Sequence, residues 1–322
     1  MSAQPHAALR YEGAELESSF ACDVIAGLTA RPKRLPPKYF YDEIGARLFD
    51  EITTLPEYYP TRCELEILRE RAGEISRFCP EGSALIEFGS GSSKKVRILL
   101  EAAPTIAAYV PVDISAEMLA QEAQALRHDF PRLAVEPVEA DFTQSFALPA
   151  AVTAGARTGF FPGSTIGNFE PHEACAFMRH AGRMLGEGAH LIIGVDLVKD
   201  PVVLNAAYND KAGITAQFNL NLLARINREL GGDFDLDGFS HKAFYNSVRQ
   251  RIEMHLVSKR RQKVRVAGRA IEFRTGETIH TENSHKFTPA AVEALLTSAD
   301  FKVKKSWQDP HRLFAVTLAT AI

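Results

Sequence analysis

The stretch Ala84-Leu-Ile-Glu-Phe-Gly-Ser-Gly-Ser-Ser-Lys-Lys95 decides the fold. Ala84–Phe88 is a short, mostly apolar run, Gly89-Ser-Gly91 is a turn, and a helical pattern covers Lys94–Ala102. A strand, a glycine turn and a helix in that order form the unit of a doubly wound sheet, which binds its ligand outside the carboxyl ends of the strands. Glycines in the turn let the backbone approach a ligand closely. The spacing GSGSS lacks the third glycine of the dinucleotide fingerprint, so the turn by itself does not indicate NAD.

Outward from this unit the same alternation repeats. Ala107–Val112 is a second apolar run, ending at Asp113, and Ser115 is placed to cap a helix reaching about Arg127. Leu133–Val138 is a third, ending near Asp141-Phe142. Thr158–Pro162 leads into Gly163-Ser-Thr-Ile-Gly-Asn168 and a helix over 171–186, and Leu191–Val195 ends at Asp196. Short apolar runs separated by helices imply a parallel sheet covered on both faces. A carboxylate at Asp113 is placed to accept both hydroxyls of a ribose. At Asp141-Phe142 the acid can bind an adenine amino group and the aromatic can cover the ring. Glycine and aspartate are common in βα turns anyway. The ordered set of three strand ends therefore carries the reading, and it points to S-adenosylmethionine rather than NAD.

The flanks read differently. Residues 1–20 are polar and expected to be loosely held. Residues 21–79 carry helical patterns interrupted by Pro36, Pro37, Pro56 and Pro60, with tyrosine-rich loops at Leu35–Asp42 and Leu55–Pro60. Residues 200–231 look helical, with Phe218, Leu222, Leu223 and Ile226 at helical spacing. Residues 243–282 read as several strands, including Arg251–Val257; Thr288 starts a helix, and Phe301–Ser306 and Leu313–Leu318 are the final strands. A second, mixed α+β unit is thus expected as an insertion before the end of the sheet domain.

Of 322 residues, 46% are hydrophobic and 24% charged, enough for a core without disulfide or metal staples. With 37 Lys+Arg against 40 Asp+Glu, the net charge of −3 excludes a globally basic nucleic-acid binder. The basic run Lys259–Arg265 reads as a solvated strand edge that resists edge pairing, so an RNA-binding enzyme fares badly. No apolar run approaches the roughly 18 residues of a membrane span, and the N-terminus lacks a signal-peptide pattern. Cys22, Cys63, Cys79 and Cys175 form no CxxC pair, which suits free thiols in the cytoplasm. His255, His280 and His285 are not spaced as a metal cluster, and no metal is expected.

Eight segments together resemble the histidine Nα-methyltransferase family of the ergothioneine pathway. They are Leu35–Thr54 (LPPKYFYDEIGARLFDEITT), Leu55–Arg62 (LPEYYPTR), Phe88–Lys95 (FGSGSSKK), Gly163–Asn168 (GSTIGN), Asp196–Asp200 (DLVKD), Phe234–Asp237 (FDLD), Arg251–Met254 (RIEM) and Thr281–Phe287 (TENSHKF). The resemblance runs from about residue 21 to 319. It implies a Rossmann-like α/β methyltransferase domain with a second α+β domain, the substrate held between them. The expected division is 1–61 and 199–286 for the substrate-binding domain, and 62–198 and 287–322 for the methyltransferase core. It also implies transfer of three methyl groups from S-adenosyl-L-methionine to the α-amine of L-histidine, giving hercynine, by a cytoplasmic monomer.

Residue by residue, the resemblance assigns Gly89, Lys95, Asp113, Asp141 and Phe142 to the cofactor. It assigns Asn168 and Tyr208 to the substrate carboxylate, and Glu282, Ser284 and Tyr58 to the imidazole. Met254 would pack beside the ring, and Tyr41 and Phe49 would line the pocket near the amine. Pro162, Phe169 and His285 depart from the family pattern, and none removes a group the chemistry needs. Methyl transfer is an in-line displacement, so much of the catalysis is placing the nucleophile. The amine must be neutral to attack; a nearby sulfonium and a dry pocket both favour its deprotonation, and Tyr41 is the residue expected to orient a water that carries the proton away. The alternative reading is an N-methyltransferase of the same fold acting on another aromatic amino acid or small amine.

Overall fold

A computed structural model describes residues 18–153 and 155–322. The expected loose N-terminal stretch falls, up to residue 17, outside the described residues. The chain opens with α1 (Ser19–Thr29) and β1 (Lys33–Arg34), then a 3-10 turn at Pro37–Phe40, α2 (Glu43–Thr54) and α3 (Tyr59–Ile75). A Cβ on Gly27 would lie 2.0 Å from the Arg34 carbonyl oxygen, so α1 meets the chain after it only through a glycine. The loop expected at Leu55–Pro60 ends sooner than foreseen. Pro60 sits in the first turn of α3, where its missing N–H costs nothing.

Next come β2 (Ala84–Phe88), α4 (Lys94–Ala102), β3 (Ala108–Asp113) and α5 (Ala116–Asp129), with Ser115 capping α5 by accepting from the Met118 N–H. The expected third strand is broken into β4 (Ala134–Val135) and β5 (Val138–Glu139), because Pro137 between them has no N–H to give a ladder. Then follow β6 (Arg157–Phe161), α6 (Pro171–Leu185) and β7 (His190–Asp196). The helical stretch expected over 200–231 is two helices, α7 (Pro201–Ala207) and α8 (Ile214–Leu230), parted where Gly213 takes φ +75°. β8 (Phe239–Asn246), β9 (Arg251–Ser258), β10 (Gln262–Val266), β11 (Arg269–Phe273) and β12 (Thr278–His285) come next. Only the second half of the basic run 259–265 is strand; Lys259–Arg261 makes the turn into β10. The chain closes with α9 (Pro289–Ser298), β13 (Phe301–Gln308) and β14 (Phe314–Ala321).

One sheet has the order β13-β14-β7-β6-β2-β3-β4, with β5 also pairing β3. From β7 to β4 it is parallel, and β14 is antiparallel to both β7 and β13. The antiparallel edge follows from a tight turn after β13: the Asp309 carboxylate accepts from the N–H groups of His311, Leu313 and Phe314. Ile86, Phe88, Val110, Val112, Ile193 and Val195 pack with Phe177, Met178 and Ala181 of α6 into the main core. The other sheets are β1-β12-β9-β8 and the hairpin β10-β11.

The described chain forms two units. The first, here unit 1, is Met1–Phe49 (described from residue 18), Lys211–Ala243 and Met254–Glu282; unit 2 is Asp50–Asp210, Phe244–Glu253 and Asn283–Ile322. Unit 1 is held by aromatic packing, with Phe40 stacked on Phe218 at 4.5 Å and Phe234, Phe239 and Phe273 meeting edge to face. Unit 2 carries the large sheet. No described helix is long and apolar enough to cross a membrane.

Candidate active site

In unit 2 the turn after β2 is built from backbone. Gly89 and Gly91 adopt φ +70° and +42°, the region open to glycine at no steric cost. The Gly89 and Ser90 N–H groups donate to the Val112 carbonyl, tying the turn to the end of β3. A Cβ on Gly89 would come 3.2 Å from the Phe142 ring, which itself packs against Phe161, Phe169 and Phe177. Asp113 accepts from the Gly91 N–H at 3.3 Å and the Ser115 N–H at 3.1 Å, one bond to each oxygen. The carboxylate is half-buried; burial raises its pKa, while backbone hydrogen bonds from Ser115, Gly91 and Ile114 oppose the rise. A glycine cradle beside a fixed, partly open carboxylate fits a nucleoside with two free hydroxyls. Asp141 sits half-buried after β5 and accepts from the Thr143 N–H.

Lys95, in the first turn of α4, pairs with Glu64 of α3 at 2.6 Å. Glu64 was not foreseen as part of the site. It is buried, and it also accepts from the Gly163 N–H with both oxygens, at 3.0 and 2.9 Å. Glu64 thus joins α4 to the turn that ends in Asn168. A Cβ on Gly194 would fall 2.0 Å from the Glu64 carboxylate, so the bare backbone of β7 makes room for it. The Gly163–Asn168 turn is further pinned by Ser164, at φ +57°, whose hydroxyl accepts from the Asp196 N–H. Gly167 lies against the His285 backbone, where a Cβ would come within 2.8 Å of the carbonyl oxygen. The departures find ordinary places: Pro162 ends β6, and the Phe169 ring joins Phe142 and Phe177.

At the end of β7 stands a buried polar group that sequence reading did not assemble. Asp196 accepts from Tyr59 at 2.8 and 2.9 Å, from Lys199 at 2.5 Å and from Lys286 at 2.9 Å. Burial alone would disfavour the Asp196 charge, but the two ammonium groups outweigh it and its pKa is lowered. Burial also lowers the Lys199 pKa against the pull of Asp196, and raises the Tyr59 hydroxyl far above its ordinary range, with Asp196 adding to the effect. Lys286 reaches on to Tyr208 at 3.1 Å and Ser284 at 2.6 Å, and Tyr208 donates to Ser284 at 2.8 Å. The ring of Tyr58 meets that of Tyr208 edge on, 6.2 Å between centroids. Three of the expected substrate contacts, Tyr58, Tyr208 and Ser284, are therefore brought together.

Unit 1 holds the remaining expected residues. The Tyr41 ring lies edge on to Phe49 at 5.6 Å and to Phe218 at 5.8 Å. Met254 is buried in β9, its carbonyl accepting from Thr281. Glu282 is half-buried in β12, where its carbonyl bonds to His280.

A family model described as histidine-specific methyltransferase, SAM-dependent, matches residues 20–321. The chain belongs to that family. It is 44% identical over 302 residues to a histidine N-alpha-methyltransferase of Mycobacterium tuberculosis, covering 92% of this chain and 93% of that one. It is 45% identical to the Mycolicibacterium smegmatis protein of the same description, over the same shares of each chain. An ergothioneine biosynthesis protein 1 of Neurospora crassa is 32% identical over 86% of this chain and 32% of its own length. The chain is thus an S-adenosylmethionine-dependent methyltransferase with a Rossmann-like α/β fold.

Proposed function

We propose that this enzyme methylates the α-amine of L-histidine three times, giving hercynine, as the first step of ergothioneine biosynthesis. The match to two histidine N-alpha-methyltransferases over nearly the whole of each chain carries the reading. The alternative, another aromatic amino acid or small amine, is decided by the assay below.

S-adenosylmethionine, when bound, supplies a methyl group made electrophilic by its sulfonium. Gly89, Lys95, Asp113, Asp141 and Phe142 are proposed to hold it. Asn168 is proposed to offer a neutral donor that orients the substrate carboxylate, and Tyr208, its own proton directed to Ser284, to lie at the same end of the substrate. Ser284 and Tyr58 contact the imidazole, with Glu282 accepting its N–H and Met254 beside the ring; Phe49 lines the amine end. Transfer needs a free lone pair on the amine, so one proton must leave before each of the three steps. Tyr41 is proposed to orient the water that takes it. The match of motifs supports these roles for Tyr41, Phe49, Met254 and Glu282. The cytoplasm, a monomeric state and the absence of a nucleic-acid partner complete the proposal, and light scattering with and without added RNA tests the last two.

Mass spectrometry of histidine, tryptophan and phenylalanine incubated with enzyme and S-adenosylmethionine tests the reaction. Gains of one, two and three methyl groups on histidine are expected, and methylation of the other two in preference to histidine overturns the substrate. Ring selection is proposed to rest on Glu282, since a carboxylate that a bound ring shields from water and leaves without an N–H partner costs a few kcal/mol. The double substitution Glu282→Ala/Met254→Val removes that penalty and opens volume. It should lose histidine turnover and gain some activity on tryptophan or phenylalanine; an unchanged preference for histidine would remove both residues from the ring pocket.

A further inference from the structure

Lys286 stands outside every role assigned above, yet its side chain is fully buried and points all three ammonium hydrogens at named acceptors. These are Asp196 Oδ2 at 2.9 Å, Tyr208 Oη at 3.1 Å and Ser284 Oγ at 2.6 Å. An ammonium has three donors and no acceptor, so its bonds have one possible direction. Tyr208 Oη accepts from Lys286 and passes its own proton to Ser284 Oγ at 2.8 Å. Ser284 Oγ then accepts twice, from Lys286 and from Tyr208. A hydroxyl oxygen has two lone pairs and one proton. With both lone pairs filled, Ser284 has only its proton to offer a ligand.

We propose that Lys286 is a positioning residue that fixes the direction of the Ser284 hydroxyl, so that the site takes an imidazole whose facing ring nitrogen is unprotonated. This rests on the reading of Ser284 as an imidazole contact. A cationic imidazole presents N–H groups on both nitrogens and would meet the Ser284 proton head on. The lysine thereby makes the enzyme select neutral histidine side chains, although it is not itself a group that touches the substrate. Asp196 holds the lysine in place and is in turn held by Lys199 and Tyr59. The other titratable groups facing Lys286 are Tyr208, Tyr245 from β8 and the neighbouring His285. Burial, then Arg251, lowers the His285 pKa, so that side chain takes up a proton less readily than an ordinary imidazole.

The test is calorimetric binding of L-histidine to the S-adenosylhomocysteine complex between about pH 5.5 and 8, with wild type and Lys286→Met. Wild-type affinity should fall about tenfold per pH unit below the ordinary imidazole pKa of about 6.5. Lys286→Met should bind S-adenosylhomocysteine within about twofold of wild type, bind histidine roughly tenfold more weakly at the upper pH, and show a flattened profile. A purely structural role would weaken binding without changing its pH slope, and a variant that keeps the wild-type slope overturns the proposal. Should Lys286→Met fail to fold, wild type alone still decides. Pyrrolylalanine, whose ring donates an N–H but has no acceptor nitrogen, should bind far more weakly than histidine, and equal binding overturns the proposal. Histidine binding with a flat wild-type profile overturns this inference alone, whereas no histidine binding at all overturns the functional reading and this inference with it.

Discussion

Asp196 and Glu87 make an instructive pair. Each is 1% exposed, each lies on a strand of the large sheet, and each accepts a hydrogen bond from a tyrosine, Tyr59 for one and Tyr109 for the other. Their charge states are opposed. Asp196, at the end of β7, has its pKa lowered, while Glu87, in β2 under the glycine turn, is pushed up to about 8. Burial acts first on both and favours the neutral acid. What separates them is company: two ammonium groups touch Asp196, whereas the lysine that acts on Glu87, Lys95, spends its contact on Glu64. A buried carboxylate stays charged only when cations are brought to it. At the end of β7 that arrangement orders the hydroxyls of Tyr208 and Ser284; under the glycine turn the neutral acid adds no negative charge.

The largest effect should come from breaking the charged member. Asp196→Asn keeps the size and an acceptor oxygen but strands Lys199 and Lys286 as buried cations. Removing one partner of a buried pair typically costs 3–5 kcal/mol, and a loss of about that size is expected by urea denaturation at neutral pH. A loss under about 1 kcal/mol would mean that the network is not held by charge. The pH dependence has a definite sign. The folded pKa lies below the unfolded value of about 3.9, so the stability from Asp196 is present above that value and is lost as pH falls through the folded pKa.

Asp113 sharpens the comparison from between the extremes. It is half-buried, its charge is supported by backbone N–H groups of Gly91, Ile114 and Ser115 rather than by a lysine or arginine among the described residues, and it is proposed to accept from a ligand. Asp113→Ala should therefore cost little stability but weaken S-adenosylmethionine binding by about 1.5–3 kcal/mol, as for a lost charged hydrogen bond. Calorimetry reads this directly. Unchanged affinity would remove Asp113 from the cofactor site.

The parts of this contrast differ in how far they can be read from sequence. The Gly89 turn, Asp113 and the bounds of β2 and α4 were legible, because the residues that determine them are consecutive or close. Errors arose where one residue overrode a local pattern, as Pro137 did in splitting the third run, Gly213 in dividing the helix and Pro60 in starting one. The Asp196 network was not legible as a unit. Tyr59, Asp196, Lys199, Tyr208, Ser284 and Lys286 come from four separate segments, and nothing in Thr281–Phe287 says that its lysine points inward at the serine two residues before it. Glu64 is hidden in the same way, one of several acids in α3, distinguished only by the space that Gly194 leaves it.

The smallest effect should be a gain. Glu87 has its folded pKa above the unfolded value of about 4.3, so its contribution is fully present below that value and is lost as pH rises through about 8. Between those limits the folded state binds a proton that the unfolded chain has released, and stability falls by at most about 1.4 kcal/mol per pH unit. Glu87→Gln supplies a permanently neutral side chain that can still accept the Tyr109 proton. It should leave stability at about pH 5 nearly unchanged and raise it at about pH 8 by roughly 1–2 kcal/mol, a figure set below the full shift because relaxation and entering water soften buried charges. Denaturation curves for the two proteins at both pH values decide it. If Glu87→Gln were instead less stable at the higher pH, the wild-type carboxylate would have to be ionised and favourably paired there. Glu87 would then belong with Asp196, and company rather than burial would set the charge at both strands.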